Sequence, residues 1–311
     1  MTQPASGGRP VFVVGAPRSG THLLRFCLAR HSAIAMCPET GFFIQAYGSR
    51  MIDSLVPSVR RWPRLVDRMI ARSGDPTMAD AASRRDALVA ATAQSRSYAE
   101  FGRRFMAALA ETPGKTRWGE KTTYHIFCLP QIFALFPDAQ VLFMRRGTKA
   151  TIASTIKSGH VRMGFDKALA LSLRATNVAE RYRGDPRVHF VAYEDLTADP
   201  EAVLRGVCAF LGEDFEPAML KPGMIDSSYR SGIMNFDQTI GIQPDDPAKW
   251  RAVLSPERGG LVDALERVPP ARSAPMVVRC ESFRFWLRFA AVRIGVFGLR
   301  RSLRDLVGAR S

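Results

Sequence analysis

Two glycines with four residues between them, Gly15 and Gly20, frame the sequence VVGAPRSGTHLL from Val13 to Leu24. An apolar run precedes the pair and a helical pattern follows it, which are the parts of a cradle where backbone N–H groups and a helix N-terminus meet an anion. A loop that holds a metal-bound triphosphate carries Lys and then Ser or Thr after the second glycine. Here Thr21 and His22 stand at those places, and the only cation within the glycine frame is Arg18. That arrangement suits a ligand held through one terminal phosphate with a further charged group beyond it. A ligand-free glycine turn is the plain alternative.

Four further stretches carry residues of matching chemistry. VLFMRRGTKATIAST (Val141 to Thr155) sets Arg146 at the end of an apolar run and Ser154 eight residues later, so an Arg leaving a strand and a Ser early in the next helix can converge on one phosphate. HSAIAMCPET places Glu39 21 residues after Arg18, WGEKTTYH contains Lys121 and His125, and YEDL begins at Tyr193.

Together these stretches resemble the sulfotransferases that use 3′-phosphoadenosine 5′-phosphosulfate (PAPS), in particular the branch with tyrosylprotein and many bacterial members. The resemblance implies that the loop Arg18, Ser19, Gly20, Thr21 and His22 holds the 5′-phosphosulfate and that Arg146 and Ser154 hold the 3′-phosphate. It further implies that Glu39 is the catalytic base, that Lys121 sits beside the transferred group and that Tyr193 lies near the adenine. A looser match, FDQTI to KW (Phe236 to Trp250), implies only a lid. The resemblance spans about Val11 to Trp250, whereas 51–116 and the last sixty residues match nothing in that family.

The residues support the same chemistry on their own terms. Moving a sulfuryl group to a hydroxyl requires a group that accepts the hydroxyl proton and cations that neutralise charge growing on the sulfuryl and the leaving phosphate oxygen. One carboxylate, Glu39, and two cations, Arg18 and Lys121, suffice, with backbone N–H groups of Gly20 and Thr21 and the Ser19 and Thr21 hydroxyls on the 5′-phosphate. No metal is required. Three alternatives stand beside these assignments: His125 as the base, Lys121 as a surface partner of Glu120, and Glu194 or Asp195 as a metal-binding acid rather than a strand exit and helix cap.

Strands must carry these residues. Val11 to Val14 reads as a buried parallel strand, and QVLFM (Gln140 to Met144) and RVHFVAY (Arg187 to Tyr193) as two more, with a helical pattern between them. A helix opens at Thr21, with Leu23, Leu24, Cys27 and Leu28 on one stripe. The expected fold class is α/β: a P-loop-like three-layer fold with a central, mainly parallel sheet. Its expected organisation is a flexible N-terminus (1–8), one sulfotransferase domain (9–275) and a tail (276–311). Within the domain, 51–116 is expected to be a helical insertion on the acceptor side.

Composition sets the outer limits. The 311 residues carry 44 basic and 29 acidic side chains, a formal net charge of +15, which favours anionic partners. The five cysteines show no paired spacing, so neither a zinc cage nor a disulfide framework is expected. The polar start and the absence of about 18 consecutive apolar residues point to a cytoplasmic protein. The tail holds eight Arg against Glu281 and Asp305, interleaved with Phe283, Trp286, Leu287, Phe289, Ile294 and Phe297. It reads as a basic amphipathic helix that packs on the domain, lies on the inner face of an anionic membrane or joins two copies. The expected function is a PAPS-dependent sulfotransferase with a hydroxyl acceptor, be it carbohydrate, lipid, small molecule or peptide tyrosine. The competing readings are a P-loop kinase or NTPase, which lacks its lysine, and a basic membrane- or nucleic-acid-binding protein; no nucleic-acid-binding signature occurs.

Overall fold

The computed structural model of the chain describes residues 8–44, 61–72, 78–158, 163–221, 236–237 and 241–267. The amphipathic tail expected at 276–311 lies outside the described residues. So does most of the N-terminal segment 1–8.

Five strands form one parallel sheet: β1 (Val11–Gly15), β2 (Ile34–Met36), β3 (Arg117–Lys121), β4 (Gln140–Arg145) and β5 (Val188–Ala192), in the order β2-β3-β1-β4-β5. Parallel pairing is in register from Val11 opposite Gln140 to Gly15 opposite Met144, and from Val11 opposite Gly119 to Val13 opposite Lys121. The β-branched and aromatic run of β1 is buried throughout, as expected of a central strand covered on both faces. Its alternate side chains supply two layers. Phe12 and Val14 face a large aromatic cluster, and Val11 and Val13 face a second one with Leu24, Leu28 and Leu204. The sheet is therefore the middle of three layers, and the α/β expectation holds.

Helix α1 (Thr21–Ala29) follows the glycine loop on the second face. Among the described residues, four helices fall in the segment expected to be helical: α2 (Arg61–Arg72), α3 (Met78–Ser83), α4 (Arg85–Thr92) and α5 (Tyr98–Leu109). They cover the Phe12 face through Leu65, Met69, Leu88, Phe101 and Phe105. Ser97 caps α5 by accepting from the Glu100 N–H at 3.1 Å. A 3-10 turn at Thr123–Cys128 leads into α6 (Leu129–Leu135), and α7 (Thr148–Ser158) and α8 (Phe165–Glu180) separate β4 from β5. The last helices among the described residues are α9 (Tyr193–Ala198), α10 (Pro200–Leu211) and α11 (Pro256–Glu266). Between α10 and α11, β6 (Phe236–Asp237) and β7 (Gly241–Ile242) form a short antiparallel pair.

Two strands that hydrophobic patterning does not reveal, β2 and β3, complete the sheet. β3 is RWGEK, fully buried despite three ionisable side chains, because each has its own partners. Arg117, at the end far from the loop, donates to Arg9 O at 2.8 Å, Leu211 O at 2.9 Å and Glu213 at 2.8 Å. These bonds fasten the edge half of the sheet to the C-terminus of α10.

Candidate active site

Every strand of the sheet hands one site segment to the same end. β1 runs into Arg18 to Thr21, β2 into Glu39, β3 ends on Lys121, β4 is followed by Arg146, and β5 is followed at once by Tyr193. In a parallel sheet, ligands bind beyond the carboxyl ends of the strands where the strand order reverses. β1 is that place here, since the chain leaves it for β2 and β3 on one side and for β4 and β5 on the other.

The loop after β1 is shaped by its backbone. Gly20 has φ of 99° and a Cβ there would run into the Tyr193 ring, so only glycine lets the loop lie against it. Arg18 also adopts a left-handed φ, 68°, which costs an L-residue on the order of 1–2 kcal/mol and points to a conformation imposed by the site. Helix α1 begins on Gly20 with no side-chain cap and no acidic residue in its first turn. Its leading N–H groups thus face the loop with the positive end of the helix dipole behind them.

Two groups of side chains meet around this loop. In the first, Lys121 is completely buried, forms an ion pair with Glu39, and lies with Nζ 3.0 Å from His22 Nε2. Glu39 keeps 27% of its side chain exposed. In the second, Arg18 donates through Nε to Ser154 Oγ at 3.3 Å, and Arg146 donates through Nη1 to Arg18 O at 3.4 Å. The Arg146 guanidinium also stands 4.3 Å from the centre of the Tyr193 ring. Burial, reinforced by the charge of Arg146, lowers the Arg18 pKa from its usual value. Two guanidiniums held this close make a place where an anion is favoured.

Beneath Glu39 lies a buried frame. Glu120 accepts from Thr40 N at 3.1 Å, from Thr40 Oγ1 at 3.0 Å and from Thr122 Oγ1, and its Oε2 is 2.9 Å from His125 Nδ1. Burial alone would push the Glu120 carboxyl up. The interactions with His125, Thr122 and Thr40 outweigh it and hold the carboxyl below the usual range. The other His125 nitrogen accepts from the Phe43 N–H at 3.3 Å.

One sequence alternative is corrected by these contacts. Lys121 does not pair with Glu120 on the surface: the two are buried neighbours on β3, and alternation along the strand sends them to opposite faces. His125 is fully buried, with Nε2 accepting from the Phe43 N–H and Nδ1 2.9 Å from Glu120 Oε2. Glu194 accepts from the Gly147 N–H at 2.9 Å and, with Asp195, occupies the first turn of α9, where carboxylates complement the helix dipole.

One participant carried no sequence signal. Asp245, from the connection after β7, forms an ion pair with Arg146 and is only 6% exposed, and Lys249 donates to its other oxygen at 3.1 Å. It lies 99 residues from Arg146 in a stretch without periodicity.

Among the described residues no group of three or more His, Cys, Asp or Glu could hold a metal ion, and no helix is long and apolar enough to cross a membrane. Cys27, Cys37, Cys128 and Cys208 are free thiols, and burial pushes Cys27 and Cys128 up to about 12, so neither ionises near neutrality.

Comparison with known proteins gives the same picture. A model of a family described as the sulfotransferase family matches residues 10–217. The fold is similar to the sulfotransferase domain from the Synechococcus PCC 7002 olefin synthase, at 22% identity with a TM-score of 0.57, covering 87% of this chain and 100% of that one. It is also similar to the sulfotransferase domain from the curacin biosynthetic pathway, at 18% identity with a TM-score of 0.52, covering 83% and 98%. At these identities the likeness is one of fold. No curated protein matches the chain.

Proposed function

The chain belongs to the sulfotransferase family, and from that premise we propose that it moves the sulfuryl group of PAPS to a hydroxyl-bearing acceptor at the carboxyl ends of β1 to β5, with Glu39 as general base. The observation that carries the reading is the meeting of Glu39, Lys121 and His22 on one side of the loop and of Arg18, Ser154 and Arg146 on the other. One side has what proton abstraction and charge neutralisation need, and the other has what a phosphate needs.

The residues fit PAPS in kind. The uncapped start of α1 and the Ser19 and Thr21 hydroxyls suit the 5′-phosphosulfate, and Arg146 with Ser154 suits a 3′-phosphate. Tyr193, stacked under Arg146, offers an aromatic wall to the nucleoside. Glu39 takes the proton of the acceptor hydroxyl. The acceptor oxygen forms a bond to sulfur while the bond from sulfur to the 5′-phosphate oxygen breaks, and 3′-phosphoadenosine 5′-phosphate (PAP) departs with the electron pair. Lys121 has three donors, of which Glu39 and His22 take two, so the third can meet charge on the sulfuryl or leaving oxygen. Partial exposure of Glu39 and full burial of His125 support Glu39 as the base.

Turnover of PAPS to PAP across a panel of hydroxyl acceptors tests this reading. Glu39→Gln is expected to lower kcat by about 10²–10⁴-fold while PAP binds as it does to the wild type. Wild-type turnover by Glu39→Gln would overturn the assignment of the base.

A further inference from the structure

Arg146 does not stand ready for a ligand; it is bound to a carboxylate of its own chain. Asp245 takes the guanidinium from one side while Tyr193 stacks against it, and both members of the pair are largely buried, 12% and 6% exposed. An exposed ion pair of this kind would mean little, but a buried one commits the guanidinium until a stronger anion competes for it. Asp245 is also held in place. It sits between Pro244 and Pro247, in a turn where Asp246 accepts from the Ala248 N–H at 2.8 Å, and Lys249 Nζ binds its second oxygen. The turn leads into the 3-10 segment Lys249–Ala252, whose Trp250 is anchored by Lys149 of α7, 4.6 Å from the ring. Beside the turn, a cavity of about 360 Å³ between Gly147, Thr148, Asp245 and Trp250 gives the carboxylate room to withdraw without opening the core.

We propose that Asp245 is an internal competitor for the 3′-phosphate: its carboxylate holds Arg146 in the position that phosphate requires, so that a nucleotide bearing a 3′-phosphate must displace it and a nucleotide bearing a 3′-hydroxyl leaves the pair in place. This rests on the reading of Arg146 as the 3′-phosphate ligand. A phosphomonoester carries −1.5 to −2 charges near neutrality and three acceptor oxygens, against one charge and two oxygens for the carboxylate, so it wins the guanidinium. A neutral hydroxyl offers nothing to exchange for the ion pair. The pair therefore lowers the affinity for a nucleotide with a 3′-phosphate, which must break it, and leaves the affinity for a 3′-hydroxyl nucleotide unchanged. Asp245 is a positioning residue, set apart from the chemistry at Glu39 and Lys121.

The test is calorimetric titration of the wild type, Asp245→Asn and Arg146→Ala with PAP and with AMP, which lacks the 3′-phosphate. Asp245→Asn is expected to bind PAP at least tenfold more tightly than the wild type, and AMP within threefold of it. Unchanged or weaker PAP binding by Asp245→Asn, or equal tightening for both nucleotides, would overturn the proposal. If Arg146→Ala binds PAP as the wild type does, the reading of Arg146 fails and the proposal falls with it. If Arg146→Ala loses PAP while Asp245→Asn gains nothing, only the role of Asp245 fails. Should Asp245→Asn not fold, hydrogen exchange on the wild type decides: saturating PAP should alter exchange across residues 243–250 and saturating AMP should not. The same response to both would refute the displacement.

Discussion

The proposed base Glu39 depends on buried residues that frame it. Thr40, its neighbour, is tied through backbone and side chain to Glu120, Gly41 donates to Thr122 Oγ1 at 3.1 Å, and Phe43 donates to His125. A carboxylate buried at the centre of this frame is costly to strand, and removing one partner of a buried pair loses about 3–5 kcal/mol. Glu120→Ala should therefore lower stability by about that amount at neutral pH. The sign of the pH effect follows from the depressed Glu120 carboxyl. Its contribution is present above the unfolded value of about 4.3 and is lost as pH falls through the lower folded value. The gap in Tm between wild type and Glu120→Ala should thus narrow below about pH 4, and a gap that stays constant into acid would contradict the account. At this scale Arg18, Glu39, Lys121, Arg146 and Ser154 were legible because they sit in short stretches with recognisable spacing. His22 on Lys121 and Asp245 on Arg146 were not, since each contact joins residues 99 positions apart and depends on where the strands end.

Among the elements, β1, β4 and β5 could be read from their apolar, β-branched runs, and the helix after the glycine loop from its stripe. β2, with three residues, is too short for any period to show. β3 is hidden by its own function: Arg117 anchors it at one end, Lys121 serves the site at the other, and the pattern between them is polar. The helices at 61–109 match the expected helical character, and they contribute to the core under Glu39. Phe101 of α5 stacks on Trp62 at 4.9 Å and Phe105 at 5.7 Å and reaches Phe42 at 6.2 Å, three residues after Glu39. Phe101→Ala should cost about 3–5 kcal/mol in urea unfolding and lower kcat with little change in PAP affinity, because the support of Glu39 loosens while the Arg146 side stays intact. An equal loss of both would show that the two halves of the site are not separately supported.

The whole chain carries +15, and the anion it is proposed to bind meets that field before it meets Arg18 or Arg146. Association of PAP in stopped flow should therefore slow as ionic strength rises past the range where the screening length falls to about 8–10 Å, while dissociation changes less. The three-layer α/β architecture was legible from the alternation of strands and helices. The turn that carries Asp245 across the site was not, because a stretch such as GIQPDDPAKW fixes its path only through tertiary contacts. The central claim is that Arg146 and the loop at Gly15 to Thr21 bind a 3′,5′-bisphosphorylated adenosine, and calorimetric titration with PAP, on the wild type and on Arg146→Ala, tests it most directly. Metal-free binding by the wild type that Arg146→Ala weakens at least tenfold is the predicted result, since a lost charge-assisted phosphate contact is worth about 1.5–3 kcal/mol. A wild type that ignores PAP and binds ATP with Mg²⁺ would contradict it and make the loop a triphosphate site after all.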